Sequence, residues 1–257
     1  MSRLRELQMR VARLERRASG LTPLQGVDLS YRDLKGKNFS NTDLSGANFE
    51  GAILTGANLK GSIFTGAILK GADLTNATLT EADLSNANLS GANLRGADLT
   101  DANMDDADFT QANLEEAVLY KALARTAVFK EANLTNADLS HGKFGAASFE
   151  SAVLKSVTLQ FSKFEHAVFT KATLNDIHLN STNFTNANFT EADMSNTKLL
   201  SGNFTRANLT NAILFGTDLS GALLTGVFIN GAKYSNRTRI PLELWNHRSV
   251  MDYRPWM

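Results

Sequence analysis

The stretch Ala82-Asp83-Leu84-Ser85-Asn86-Ala87-Asn88-Leu89-Ser90-Gly91-Ala92-Asn93-Leu94-Arg95-Gly96-Ala97-Asp98-Leu99-Thr100-Asp101 decides the fold. It holds four copies of one five-residue unit. Each unit has a small residue, then Asp or Asn, then Leu, then two polar or small residues. Extended in both directions, the same unit runs without insertion from Leu29 to Tyr234. Those 205 residues, at five per step, give 42 central positions, and Ala124 is the only small residue among them. A period of five fits neither regular element. On a helix five residues advance about 500°, so the central residues would drift around the cylinder. On a flat strand an odd spacing alternates them between two faces. An inward residue at every fifth position requires a bend in each unit, which is the signature of a coiled solenoid.

A second period supports four-sided coils. Positions 20 apart carry like residues: Leu54, Leu74, Leu94, Leu114, Leu134, Leu154 and Leu174 form one column. Phe segregates into two others, Phe109 to Phe189 and Phe144 to Phe204. Segregation at 20 does not follow from repetition at five. The A-(D/N)-(L/F)-x-x array resembles the pentapeptide repeat family. That resemblance covers about residues 27–234 and implies an all-β solenoid, a right-handed quadrilateral β-helix of four pentapeptides per coil. The rod would be on the order of 50 Å long at about 4.8 Å per layer. Val157, Ile177 and Val227 replace the inward Ala and should swell the coil locally, and Ala124 should leave a gap or an inward shift.

Both ends leave the pattern, giving three parts: a helical N-terminal cap over 1–26, the repeat solenoid over 27–234, and a C-terminal cap or tail over 235–257. In the first, Leu4, Leu7, Val11 and Leu14 follow the spacing of one helical stripe. It reads as a short N-terminal α-helix that caps the first coil, docks a partner or forms a dimer seam. Its six Arg against two Glu also allow contact with a membrane surface. In the last, Ile240, Leu242, Leu244 and Trp245 are expected to cover the final coil. Trp245, Tyr253 and Trp256 are candidate partner anchors, because Trp, Tyr and Arg dominate binding hot spots.

Composition removes most chemistry. The chain has 257 residues, 26 Lys and Arg balanced by 26 Asp and Glu, and no Cys. Disulfides, thiolate catalysis and Cys-based metal or cofactor sites are therefore excluded, and no net field draws nucleic acid. His141, His166, His178 and His247 are not at metal-ligand spacing, and no phosphate-binding loop or nucleophile elbow occurs. The expectation is a non-enzymatic protein with no catalytic residue, metal or cofactor. No run of about 18 apolar residues and no signal-peptide core is present, so a cytoplasmic or stromal-type soluble compartment is expected.

What remains is surface. The outward position before each central residue should be polar, but it is apolar at Val118, Leu123, Val128, Val153 and Val168, with Tyr120 and Phe161 also outward. These residues suggest a mid-rod patch for a protein partner, with the chain a monomer or dimer and nucleic acid disfavoured. Charge is uneven: residues 28–234 carry 22 acids and 16 bases. Seven acids fall between Arg95 and Lys121 with no base among them, an acidic belt on the coil reading. The resemblance supplies an alternative function here, since some family members mimic duplex DNA and inhibit or protect type II topoisomerase. The belt departs from the long acidic stripe that such mimicry uses.

Overall fold

The computed structural model describes residues 24–245 and 251–254; the expected N-terminal helix and its stripe Leu4, Leu7, Val11 and Leu14 lie outside them. From Leu24 onward the backbone winds through four short sides per turn. Each bridge residue pairs in parallel with the residue 20 positions on, from Asp28 with Asn48 to Ile213 with Lys233. Leu74 and Leu94 therefore lie one layer apart, as the 20-residue period required. We number the sides by their outward bridge residues: face 1 runs from Asp28 to Phe228, face 2 from Asp33 to Lys233, face 3 from Asn38 to Asp218, and face 4 from Asp43 to Leu223.

The five-residue unit makes this path by ending each side in a tight turn. The central residue's carbonyl accepts the amide three residues later, as in Ala87 N–H to Leu84 O at 3.0 Å. The residue before that amide has φ near +60° at every corner from Gly26 to Gly231, and 28 of these corners are not glycine. A positive φ at the third turn position marks a type II turn. Most side chains avoid that conformation, and here the layer-to-layer ladder imposes it even on Thr126 and Phe161 (φ 60° at each).

Asp or Asn before the central residue brackets the same turn. Its Oδ1 accepts the amide two residues later, and a Ser or Thr hydroxyl there donates to the same oxygen. At Asn188 the two distances to Thr190 are 3.0 and 2.6 Å. Such side-chain brackets compete with regular structure and favour turns. They also hold carboxylates ionised. The Ser45 hydroxyl and amide hold Asp43 below the usual carboxylate range. Burial pushes Asp73 up, but bonds from Thr75, Thr55 and Asn93 together bring it below that range. Asp218 is lowered in the same way by Ser220 and Arg239 against its burial.

The interior is a column of central Leu and Phe with Ala beside them, nearly all fully buried. On face 1, Phe109, Phe129, Phe149, Phe169 and Phe189 stack with ring centroids 4.8–5.0 Å apart and planes within 8°. Phe144 to Phe204 form a second stack on face 4 and meet the first edge to face, as in Phe129–Phe144 at 6.2 Å and 65°. The second stack needs room beside it. A Cβ on Gly142 would overlap the Phe144 ring and lie 3.0 Å from Leu139 O. Where the stack continues, Ser162 and Thr182 fill that position and turn their hydroxyls onto Leu139 O and Leu159 O at 2.7 and 2.8 Å.

Irregularities follow residue size. Val157 and Ile177 sit one layer apart at the inward position of face 3, where the five layers from Ala57 to Ala137 have Ala. Around them the amides of Val157, Leu159, Ile177, His178, Ser181 and Thr182 fall outside hydrogen-bond geometry to any backbone carbonyl, although Thr158 still pairs with His178. The larger side chains push this wall outward. One hydroxyl recovers part of the loss: Thr197 donates at 2.6 Å to Leu174 O, the carbonyl that the Ile177 amide leaves without its turn bond. Val227 lies in the last coil and keeps its turn bond at 3.1 Å. At Ala124 the ladder passes unbroken, with Ala124 N–H to Lys143 O at 2.8 Å; only the turn bond from Ala127 lengthens, to 3.3 Å.

The C-terminal end is closed on two sides. Strand β1 (Lys233–Tyr234) pairs in parallel with strand β2 (Asp252–Tyr253) on face 2. On face 3 Arg239 pairs with Asp218, a step of 21 rather than 20, because one extra residue enters the turn at Ser235–Thr238. Between these segments lies helix α1 (Leu242–Trp245). Leu244 and Met251 are buried against the final coil and Ile240 packs beside them. The expectation for Leu242 is corrected: it is 86% exposed, because in so short a helix the side turned to the rod is that of Leu244.

Candidate functional site

The corner between faces 3 and 4 carries the one aromatic ladder on the outside of the described rod. Tyr120 and His141 meet nearly edge to face at 5.3 Å and 68°, and His141 stacks on Phe161 at 5.1 Å and 28°. Lys121 Nζ lies 5.1 Å from the Tyr120 ring centre. Phe161 is 55% exposed, and Leu200, farther along the same corner, is 43% exposed. His141 and Phe161 occupy the positive-φ corner position of successive coils, whereas Tyr120 comes one residue earlier in its turn. The 20-residue stacking brings them together, and His141 joins a ladder that the sequence showed only as two separate outward rings.

The other apolar candidates do not join it as one patch. Val118, Leu123 and Val128 lie on faces 3, 4 and 1 of a single coil and are each half-buried. They form a band around the rod rather than a flat surface, because five residues carry the chain around a corner. Tyr253, in β2, is 49% exposed and its ring sits 5.1 Å from Tyr234. The side chain of Trp245 and all of Trp256 lie outside the described residues.

The loosened wall lies beside this corner. Asn180, in the corner turn between Phe161 and Leu200, and Asn175, at the opposite edge of face 3, each bury an Oδ1 with no hydrogen-bond partner. Such an orphan costs about 1–3 kcal/mol, and both flank the strand that Val157 and Ile177 displace.

Charge around the ladder is set by layer neighbours. The acidic belt, read in sequence as having no base, is cross-braced from adjacent coils. Arg95 reaches Glu116 at 3.1 Å and Glu115 at 3.9 Å, and Arg125 grips Asp105 at 2.5 Å. These carboxylates keep both guanidinium groups above their ordinary range. No column on the described surface is continuously acidic. Among the described residues no group of three or more His, Asp or Glu side chains could hold a metal ion, and no helix is long and apolar enough to cross a membrane.

Comparison with known proteins agrees with this geometry. The family model for pentapeptide repeats matches in eight copies, at residues 24–61, 42–80, 62–96, 78–115, 92–131, 132–170, 162–199 and 203–233. The crystal structure of HetL, a pentapeptide repeat protein involved in heterocyst differentiation regulation from the cyanobacterium Nostoc sp. strain PCC 7120, is similar. It shares 29% identity over 88% of this chain and 94% of its own, with a TM-score of 0.56. A trypsin-treated form of QnrB1, a plasmid-mediated fluoroquinolone resistance protein, matches 91% of this chain and 99% of its own at 16% identity and a TM-score of 0.52, a likeness of fold alone. No curated protein matches the chain.

Proposed function

The chain belongs to the pentapeptide repeat family, whose fold is the right-handed quadrilateral β-helix, and from that membership we propose that it is a non-enzymatic interaction module that docks a partner protein on the corner between faces 3 and 4. The observation that carries this reading is the exposed Tyr120–His141–Phe161 ladder. A solenoid spends its large apolar residues on the interior, so a run of rings outside adds nothing to the core and offers the kind of anchor that protein interfaces use. The rod's contribution is rigidity. Its four walls fix the ladder before binding, so little ordering entropy is lost when a partner docks.

A photo-crosslinking amino acid, benzoylphenylalanine, placed at Phe161 tests the reading against the same group at Asn76, on a different corner. In extract of the source cell, a discrete adduct formed from position 161 and not from 76 is the expected result. Equal or absent crosslinking at both sites refutes it. The competing function, DNA mimicry at a type II topoisomerase, predicts inhibition of gyrase supercoiling at micromolar protein. The bracing of the belt by Arg95 and Arg125 leads us to expect none.

A further inference from the structure

We propose that the corner ladder binds an acidic, partly apolar peptide segment of its protein partner, held between Lys143 and Lys163 on face 4 and Lys198 on face 3. This rests on the docking reading above and adds the chemistry of the partner.

The first observation is an uncompensated pair of like charges. Lys143 and Lys163 are bridge partners, one directly above the other, and both are exposed. Like charges placed opposite each other on a sheet destabilise it. Five rod cations, Lys60, Arg95, Arg125, Lys130 and Lys171, each lie within 4.0 Å of a carboxylate in a neighbouring layer. Lys143, Lys163 and Lys198 make no such ion pair among the described residues. Carboxylates nearby along the chain are engaged otherwise, Glu165 by the Asn183 amide at 2.8 Å and Asp138 by the Ser140 amide at 2.9 Å. Across the corner, exposed Lys198 stacks on exposed His178. A basic column on face 4 thus flanks the ladder, and Lys198 adds a cation on face 3 beside Leu200, two layers beyond Phe161; level with the ladder itself, face 3 carries Val118, Asp138 and Thr158.

The second observation is the ring geometry. His141 and Phe161 cover each other's facing sides, so ring edges form part of what the ladder offers outward. Ring edges carry the positive end of the aromatic quadrupole and suit carboxylates. Nucleobases stack on free ring faces, and the two faces that His141 and Phe161 turn to each other are not free. Exposed Phe161 and Leu200 add apolar contact along the same corner. The Lys143–Lys163 column, Lys198, positive ring edges and apolar side chains together complement a segment that alternates acidic and apolar residues.

A short fluorescein-labelled peptide alternating Glu and Leu, titrated with the full-length protein and followed by anisotropy, tests this. The expected result is saturable binding that weakens as salt rises. Lys143→Glu with Lys163→Glu should weaken it about tenfold or more, and Phe161→Ala should weaken it as well. Lys143→Gln with Lys163→Gln should give a smaller loss in the same direction, and Lys70→Glu, on the corner between faces 1 and 2, none. Thermal unfolding of each variant confirms an intact rod. Three results would overturn the proposal: binding no tighter than that of the counterpart with Lys in place of Glu, affinity untouched by the paired Glu substitutions, or tighter Lys143- and Lys163-dependent binding of oligothymidylate or phosphatidylserine vesicles. If the peptide fails while crosslinking at position 161 persists, the docking reading stands and only the acidic partner is lost. If both fail, both fall.

Discussion

Replacing Phe149 by Leu measures what the stacked rings contribute. Leu fits the slot, since Leu89 and Leu209 occupy the same column. The change therefore removes ring contacts with little change in burial. Phe149 meets four rings: Phe129 at 4.8 Å and Phe169 at 4.9 Å in parallel, and Phe144 at 6.0 Å and Phe164 at 5.7 Å edge to face. At about 0.5–1.5 kcal/mol per pair beyond burial, the loss is about 2–6 kcal/mol. Phe109, fully buried in the same column, meets only Phe129, at 5.0 Å. Phe109→Leu should cost about 0.5–1.5 kcal/mol by the same rule. Urea unfolding of both variants gives the comparison, with hydrogen exchange at the Phe149 and Phe109 amides to detect local opening, because repeat arrays need not unfold as one unit. A loss for Phe149→Leu no larger than that for Phe109→Leu would refute the claim that ring contacts, rather than burial alone, stabilise this part of the rod.

Other consequences follow from single contacts. Gly142→Ala forces its Cβ into the Phe144 ring and should cost about 1–3 kcal/mol as overpacking, whereas Gly145→Ala, whose Cβ meets nothing closer than 3.6 Å, should be near neutral by thermal melting. Asp43, Asp73 and Asp218 have lowered folded-state pKa values, so their contribution is complete above the unfolded value of about 3.9 and is lost as pH falls through the folded values. The urea midpoint should therefore drop below about pH 4, and by less in Asp73→Asn. Val157→Ala with Ile177→Ala should let the face 3 wall close, seen as slower exchange at the Leu159 and His178 amides; unchanged exchange would show that residue size does not loosen the wall.

The ladder at the corner was legible in sequence only in part. Tyr120 and Phe161 were both readable as outward, because the repeat assigns every fifth position inward. Their meeting through His141 was not, since the three residues hold different places in the unit and come together only through the 20-residue layer. The bracing of the acidic belt was hidden for the same reason: Arg95 and Arg125 lie about one coil away from their partners. Val118, Leu123 and Val128 are close in sequence and read there as one patch, yet each corner turns the next of them onto a new face.

Sequence alone determined the backbone path. A five-residue hydrophobic period with small residues beside it requires a bend in every unit, and the segregation of Phe at 20 residues supports four sides to the coil, as the family resemblance implies. Tertiary structure alone decided which side chains meet on the outside, because those contacts run between layers and around corners, along directions that the chain's own order does not follow. It also decided the strain. Nothing in the local sequence asks Thr126 or Phe161 to adopt a left-handed backbone; the closed ladder above and below them does.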